Sequence, residues 1–265
     1  LSPARSITTV IIAQNEAPRI GDAILSCVTF SDEIVVIDGG SDDGTPEIAR
    51  GLGCIVHLNP WPGYAAQRNF AAQKASHDWI FFIDSDEIVG EDLARSIDEW
   101  RSMPAGAGDE PGGYVITRIG DFLGRWMAGQ EIVRLYDRRR HRIKDVVLDE
   151  EVDLPPARAG RLKGTLWHFG FRSLDEHLAR FNRYTQTWAR EAVEGGARFS
   201  LARLLLRPPA RFLQRYLGKG LFRKGVPGLA ASAFWGYFEV IKELKVLELR
   251  WRESDGGSHE KPRSL

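Results

Sequence analysis

Three apolar runs in the first hundred residues end alike, and that shared ending restricts the fold more than any other feature of the chain. ITTVIIA (Ile7 to Ala13) leads into Asn15 and Glu16, EIVVIDGG reaches Asp38, and WIFFIDSDE reaches Asp84 and Asp86. Runs of β-branched and aromatic residues like these predict strands buried on both faces. CIVHL (Cys54 to Leu58) is a shorter run of the same kind. Helix-compatible segments separate them at Pro18 to Cys27, Thr45 to Leu52 and Ala65 to Ala75, and Thr45-Pro46 reads as an N-cap and first helical residue. Strands alternating with helices predict right-handed βαβ crossovers and a mostly parallel sheet with helices on both faces.

The remainder divides by composition. SMPAGAGDEPGG (Ser102 to Gly113) is a Pro/Gly-rich surface loop. Shorter, more polar strands are expected at Tyr114 to Arg118, Ile132 to Tyr136 and Leu162 to Trp167, as an edge or antiparallel extension. Ser173 with Glu176 three residues on fits a capping box and opens a helical region reaching about Trp251. The expected organisation is therefore an α/β domain over 1–172, a helical region over 173–251 and a disordered tail over 252–265. Formal charge balances at 36 basic and 36 acidic residues, which argues against a generally cationic nucleic-acid binder. Cys27 and Cys54 are too few for a disulfide framework or a zinc site, so a reducing compartment is expected. LSPARSITTV lacks the apolar core of a signal peptide, and no uncharged apolar run approaches the ~20 residues of a membrane span.

In a parallel sheet all strands deliver their last residues to one edge, where ligands bind. Asn15, Glu16, Asp38, Asp84 and Asp86 should therefore converge. A single strand ending in Asp is commonplace; three such endings are not. Carboxylates on alternate residues, as in Asp84-Ser85-Asp86, can hold a hard cation through oxygen, and that cation can neutralise a diphosphate leaving group. Glu87 could orient the metal ligands, touch an acceptor or pair with an arginine.

VIIAQNE, VVIDGGSDDGT and AAQRNFAAQKASHDWIFFIDSDE together resemble the successive nucleotide-binding motifs of glycosyltransferase family 2. The resemblance implies a GT-A fold, a nucleotide-diphosphate sugar donor such as a UDP-sugar, Mg²⁺ or Mn²⁺, and inversion at the anomeric carbon. By position it implies that Ala13, Asn15, Glu16 and Asp38 contact the nucleoside, and that Gln67 and Arg68 lie near the base or phosphates. Asp84, Ser85 and Asp86 would meet the diphosphate, Asp84 and Asp86 as metal ligands. His168, between aromatic residues in LWHFGF, is a candidate further metal ligand, although a histidine there also suits a satisfied core position. VRLYDRRRHRIKDVVLDEEV and LKGTLWHFGFRSLDEHLARFNRYTQTWA are similar to the small lipopolysaccharide-core β-glucosyltransferases. Those relatives usually carry a His-Glu pair before the valine. Here the pair is Asp149-Glu150, which makes Glu150 the candidate base and leaves Asp149 and Glu151 as alternatives. Arg134 could meet the diphosphate or be a salt-bridged strand residue.

Between Gly195 and Phe238 there is no acidic residue, and eight basic residues alternate with Leu, Phe and Tyr. Pro208, Pro209, Gly218 and Gly220 should break this stretch into short amphipathic helices, a pattern suited to the headgroup region of an anionic membrane. A solvated face and a nucleic-acid patch are the competing readings. The expectation is a cytoplasmic enzyme, peripheral at the inner face of the membrane. It would move a sugar, glucose being the named candidate, to a glycolipid such as the lipopolysaccharide inner core. An exopolysaccharide, polyprenyl-linked glycan or protein acceptor stays open, as does an inactive nucleotide-sugar sensor. A nucleotidyltransferase would need a Gly-rich phosphate loop after the first strand and a dehydrogenase G-x-G-x-x-G, and VIIAQNEAPRI has neither.

Overall fold

The computed structural model describes residues 5–103, 110–144, 151–170 and 173–254. Two compact units emerge: Leu1–Asp121 with Gly129–Gly170, and Phe122–Ala128 with Phe171–Leu265.

The first unit is built on one mixed sheet. Its strands are β1 (Ile7–Ala13), β2 (Glu33–Asp38), β3 (Ile55–Leu58), β4 (Trp79–Asp84), β5 (Glu87–Val89), β6 (Gly113–Phe122), β8 (Gln130–Asp137) and β9 (Gly160–His168); β7 (Arg125–Trp126) falls in the second unit. The order is β3-β2-β1-β4-β8-β6-β9-β5. β3, β2, β1 and β4 run parallel, as the alternating pattern requires, and β8 then joins β4 antiparallel and pairs antiparallel with β6. Register aligns the polar strand ends: Ala13 lies opposite Asp38, and Ile12 opposite Asp84. The convergence expected of the three acidic strand ends is thus a property of the hydrogen-bond register.

Helices α1 (Ile20–Leu25), α2 (Thr45–Gly51), α3 (Tyr64–Lys74) and α4 (Glu91–Ser102) cover the sheet. One core joins Ile7, Ile11, Phe81 and Ile83 to Ile24 of α1, Ala49 of α2 and Leu93, Ile97 and Trp100 of α4. The other joins Val10, Ile12, Ile80 and Phe82 to Ala65, Ala71 and Ala72 of α3. Alternate residues of β1 and β4 therefore feed opposite cores, the two-sided burial that makes these strands read as unbroken apolar runs. It also puts Asp84, which follows Phe82 in the alternation, on the α3 side. Gly164 sits where a Cβ would come within 2.3 Å of the Leu93 backbone, so its lack of a side chain lets α4 pack directly on β9. Thr45 is the first residue of α2 rather than its cap. Gly44 occupies the cap with φ 87°; the Asp43 carboxylate accepts from both Thr45 N and the Thr45 hydroxyl, and that hydroxyl oxygen in turn accepts from Glu16 N.

The second unit is helical: α5 (Leu174–Glu194), α6 (Leu201–Leu213), a π turn (Gln214–Gly218), a 3₁₀ turn (Leu221–Lys224) and α7 (Gly225–Ser254). Ser173 caps α5 by accepting from Glu176 N, as the capping box predicts. α5 and α7 pack through Ala189, Val193 and Val246, and Arg250 donates to the carbonyls of Val193, in the last turn of α5, and of Ala197, just past its end. Residues 252–254 continue α7, and the rest of the expected tail lies outside the described residues. Pro208 and Pro209 do not break the helix as expected; α6 runs through both. An interior proline costs ~3 kcal/mol. Ties to α7 on either side oppose that cost: Arg203 pairs with Glu243 and Arg211 with Glu239, and Gly236 lets the Pro208 carbonyl approach. The break comes at the glycines, Gly220 having φ 68°. Among the described residues no helix is long and apolar enough to cross a membrane.

Candidate active site

Short loops after β1, β2 and β4 build the site's floor. Asn15 adopts φ 57°, a left-handed conformation that asparagine tolerates better than most residues. Its side-chain oxygen accepts from Asp42 N, and its own N–H donates to Ser41 Oγ. Asp38 is 3% exposed and accepts from Gly40 N and Ser41 N at 3.0 Å each, with Ser41 Oγ on its other oxygen. These two residues fix the loop that follows β2. The Ala13 carbonyl accepts from Gly39 N, and Glu16 starts α1's approach by accepting from Arg19 N and Ile20 N. Gln67 is fully buried; its amide accepts from Asn59 Nδ2 at 2.7 Å and donates to the Asn59 carbonyl at 3.1 Å. It anchors the segment after β3 from beneath.

Arg68, one residue further on α3, reaches the acidic turn. Its Nη2 donates to Asp84 Oδ1 at 2.6 Å, and Arg134 Nη2 approaches Asp84 Oδ2 at 3.4 Å. Glu87, 0% exposed, locks the same turn: Oε2 accepts from Asp84 N at 2.9 Å, and Oε1 accepts from Arg118 Nε at 2.5 Å and Arg134 Nη2 at 2.7 Å. Three guanidinium groups face two carboxylates, a surplus of positive charge at a site expected to receive a diphosphate. Burial works against the Asp84 charge, but Arg68, Arg134 and Arg118 outweigh it and hold this carboxyl well below the usual carboxylate range. The Arg134 guanidinium stacks over the Phe82 ring at 4.4 Å, and its buried Nε has no hydrogen-bond partner among the described residues.

Asp86 turns the other way. Its Oδ2 lies 3.4 Å from His168 Nε2 and 4.0 Å from Arg19 Nη1. Ser85, between the two aspartates, is buried. The backbone reinforces the juxtaposition: Phe169 N donates to Asp86 O, and Arg19 Nη1 donates to Phe169 O. β9 pairs with β5 so that His168 lies opposite Glu87, and Gly120 and Gly170 leave room for the imidazole; a Cβ on Gly170 would stand 3.0 Å from His168 Cε1. Asp84, Asp86 and His168 do not form one ligand cluster, and among the described residues no group of three or more His, Cys, Asp or Glu side chains does so. The structure joins Asp86 to His168 and gives Asp84 to the arginines. Asp149 and Glu150 lie outside the described residues. Glu151 is exposed, and its carboxylate is 3.9 Å from Lys144 Nζ.

Arg19 and Arg118 are absent from the sequence expectations. Arg19 falls in the segment expected to be helical from Pro18; α1 starts only at Ile20, which leaves Arg19 at its cap, three residues past Glu16. Nothing local marks Arg118, because its partner Glu87 is brought to it by β9, which pairs with both β5 and β6. The buried pairing sets a stability expectation. Glu87→Ala strips two arginines of a buried counter-charge and should cost ~3–5 kcal/mol, read as a lowered denaturant midpoint. An unchanged midpoint would mean that the cluster does not hold the turn.

A mixed α/β sheet whose parallel half ends in an acidic turn, with an antiparallel extension beside it, is a GT-A fold. Residues 8–153 match the family model described as Glycosyl transferase family 2, and the chain belongs to that family. It is 28% identical to the lipopolysaccharide core biosynthesis glycosyltransferase LpsC of Rhizobium meliloti over 93% of this chain and 93% of that protein. It is 29% identical to an uncharacterized glycosyltransferase of Rickettsia typhi, over 92% of this chain and 88% of the relative. Glucosyl-3-phosphoglycerate synthase of Mycobacterium tuberculosis, solved with Mn²⁺, UDP and glucosyl-3-phosphoglycerate, aligns over 74% of this chain and 82% of its own. That alignment has a TM-score of 0.48 and 20% identity.

Proposed function

We propose that this glycosyltransferase is metal-dependent and inverting, and that it transfers a sugar, glucose being the first candidate, from a UDP-sugar to a glycolipid of the lipopolysaccharide inner-core type. The observation that carries the reading is the division of labour at the acidic turn: Asp86 beside His168, and Asp84 held by Arg68 and Arg134. One carboxylate and one imidazole are too few for a closed protein cage. They suit a hard cation that keeps water and takes phosphate oxygens from its substrate, as Mg²⁺ and Mn²⁺ do. Such an ion, when bound, neutralises charge building on a leaving diphosphate. Asn15 and Asp38 shape the loop that would receive the nucleoside, with Ala13, Glu16 and Gln67 as its supports. Arg68 and Arg134 add positive charge toward the phosphates. Glu150 would take the proton of the acceptor hydroxyl as its oxygen bonds the anomeric carbon and the bond to the nucleoside diphosphate breaks on the opposite face.

The name of the Rhizobium relative supports a lipopolysaccharide acceptor, and the acid-free, basic stretch from Gly195 to Phe238 supports work at the anionic inner face of the cytoplasmic membrane. A thermal-shift panel of nucleoside diphosphates tests the donor. Ligand at 100 times its Kd stabilises the folded state by about 2.7 kcal/mol, so UDP with Mn²⁺ should raise Tm by several degrees. GDP or ADP in its place should raise it less. Equal shifts with all three would remove the UDP assignment.

A further inference from the structure

The basic segment expected to meet lipid through its arginines is turned around. Arg203 donates from Nε and Nη2 to the buried Glu243, Arg211 pairs with the buried Glu239, and both Arg211 and Arg215 stack on Trp235, Arg215 at 4.1 Å. All these partners belong to α7, so these arginines fasten α6 and the π turn after it to α7. Four leucines point outward instead: Leu205 is 61% exposed, Leu206 69%, Leu213 50% and Leu217 59%. At 3.6 residues per turn, Leu205, Pro209, Leu213 and Leu206 span about 100° of the helix circumference. Helical proteins bury such a stripe; here it is presented to the outside, with charge beneath it.

Resting on the reading that the acceptor is membrane-borne, we propose that α6 is an inserting helix whose leucine stripe enters the headgroup and upper acyl region of an anionic bilayer, while Arg203, Arg211 and Arg215 hold it in place from behind. The occupant follows from charge. Arg198, Arg207, Lys219, Arg223 and Lys224 are the exposed cations of the segment, and no carboxylate lies between Gly195 and Phe238 to offset them. An anionic lipid surface complements an apolar stripe bordered by cations. A second copy docked through the same face would set like charges against one another. The tight fastening to α7 adds to the case, since a helix whose leucines enter lipid must be held by its other side.

The test is co-sedimentation of the full chain with vesicles of phosphatidylcholine alone or with phosphatidylglycerol. Wild type is compared with a leucine variant (Leu205→Ser, Leu206→Ser, Leu213→Ser, Leu217→Ser) and a basic variant (Arg207→Gln, Lys219→Gln, Arg223→Gln, Lys224→Gln). The leucine variant should partition at least about 10²-fold less, because burying one leucine is worth about a tenfold change. The basic variant should lose the preference for anionic vesicles and the sensitivity to salt but keep weak binding to both. As all the replaced leucines are at least half exposed, circular dichroism and the UDP/Mn²⁺ thermal shift should be unchanged. A nitroxide on Leu206→Cys should report oxygen-rich surroundings when vesicles are added. If the leucine variant sediments like wild type, or the nitroxide stays in water, the contact is made by charge alone and the insertion proposal is overturned while the membrane reading stands. If wild type ignores anionic vesicles, the membrane reading itself fails. A wild-type dimer that the leucine variant splits would assign the stripe to a second copy and likewise overturn the proposal.

Discussion

Asp86→Asn lowers turnover by at least about 10²-fold at saturating donor, with little change in Tm. The substitution keeps the size of the side chain and removes the charge facing His168 Nε2. A bound cation supplies several kcal/mol of charge stabilisation in the transition state, and each 1.36 kcal/mol is tenfold in rate. The turn itself should persist, because the bonds that shape it at Asp84 and Asp86 run through the main chain: Asp84 N to Glu87, and Phe169 N to Asp86 O. Full activity of the variant in the presence of a chelator would remove Asp86 from the site.

Glu150→Gln should lower kcat by ~10²–10⁴-fold, the usual loss when a general base is replaced by a group that cannot take a proton. Donor KM should stay near wild type, because the groups proposed to bind the donor lie elsewhere, on the loops after β1, β2 and β4 and on α3. The companion variants Asp149→Asn and Glu151→Gln separate the three neighbouring carboxylates. Glu151, exposed and 3.9 Å from Lys144, should tolerate the change. A near-normal Glu150→Gln beside a dead Asp149→Asn would move the base by one residue.

What could be read from the chain alone follows from how local its causes are. β1, β2 and β4 are visible because burial on both faces imposes an apolar residue at nearly every position, and their acidic ends mark the ligand edge. α4 escaped notice even though Leu93, Ile97 and Trp100 recur at helical spacing. Its other positions are mostly charged or small, so the three apolar residues stand apart without a continuous apolar run to mark the helix. β5, three residues long, has no pattern of its own and exists because β9 pairs with it. The division of the acidic turn between arginines and histidine was hidden for the same reason: Asp84 and Asp86 look equivalent in sequence, and only strand alternation and α3 separate them. In the helical unit the amphipathic spacing was legible but its direction was not. Which side of α6 faces inward is decided by Glu239 and Glu243, more than twenty residues away on α7. Pro208 and Pro209 persist within α6 by virtue of those same ties.

The central claim, metal-dependent inverting transfer at the Asp86–His168 site, is tested most directly by following one reaction in two ways. UDP-glucose is incubated with a lipopolysaccharide-core glycolipid and Mn²⁺; UDP release is measured, and the anomeric configuration of the transferred sugar is read by NMR. The account predicts UDP release that requires the acceptor, stops in chelator, returns with Mn²⁺ or Mg²⁺, and yields a β-linked product from the α-linked donor. Acceptor-dependent release that continues undiminished in chelator, or a product that keeps the donor's configuration, would contradict it.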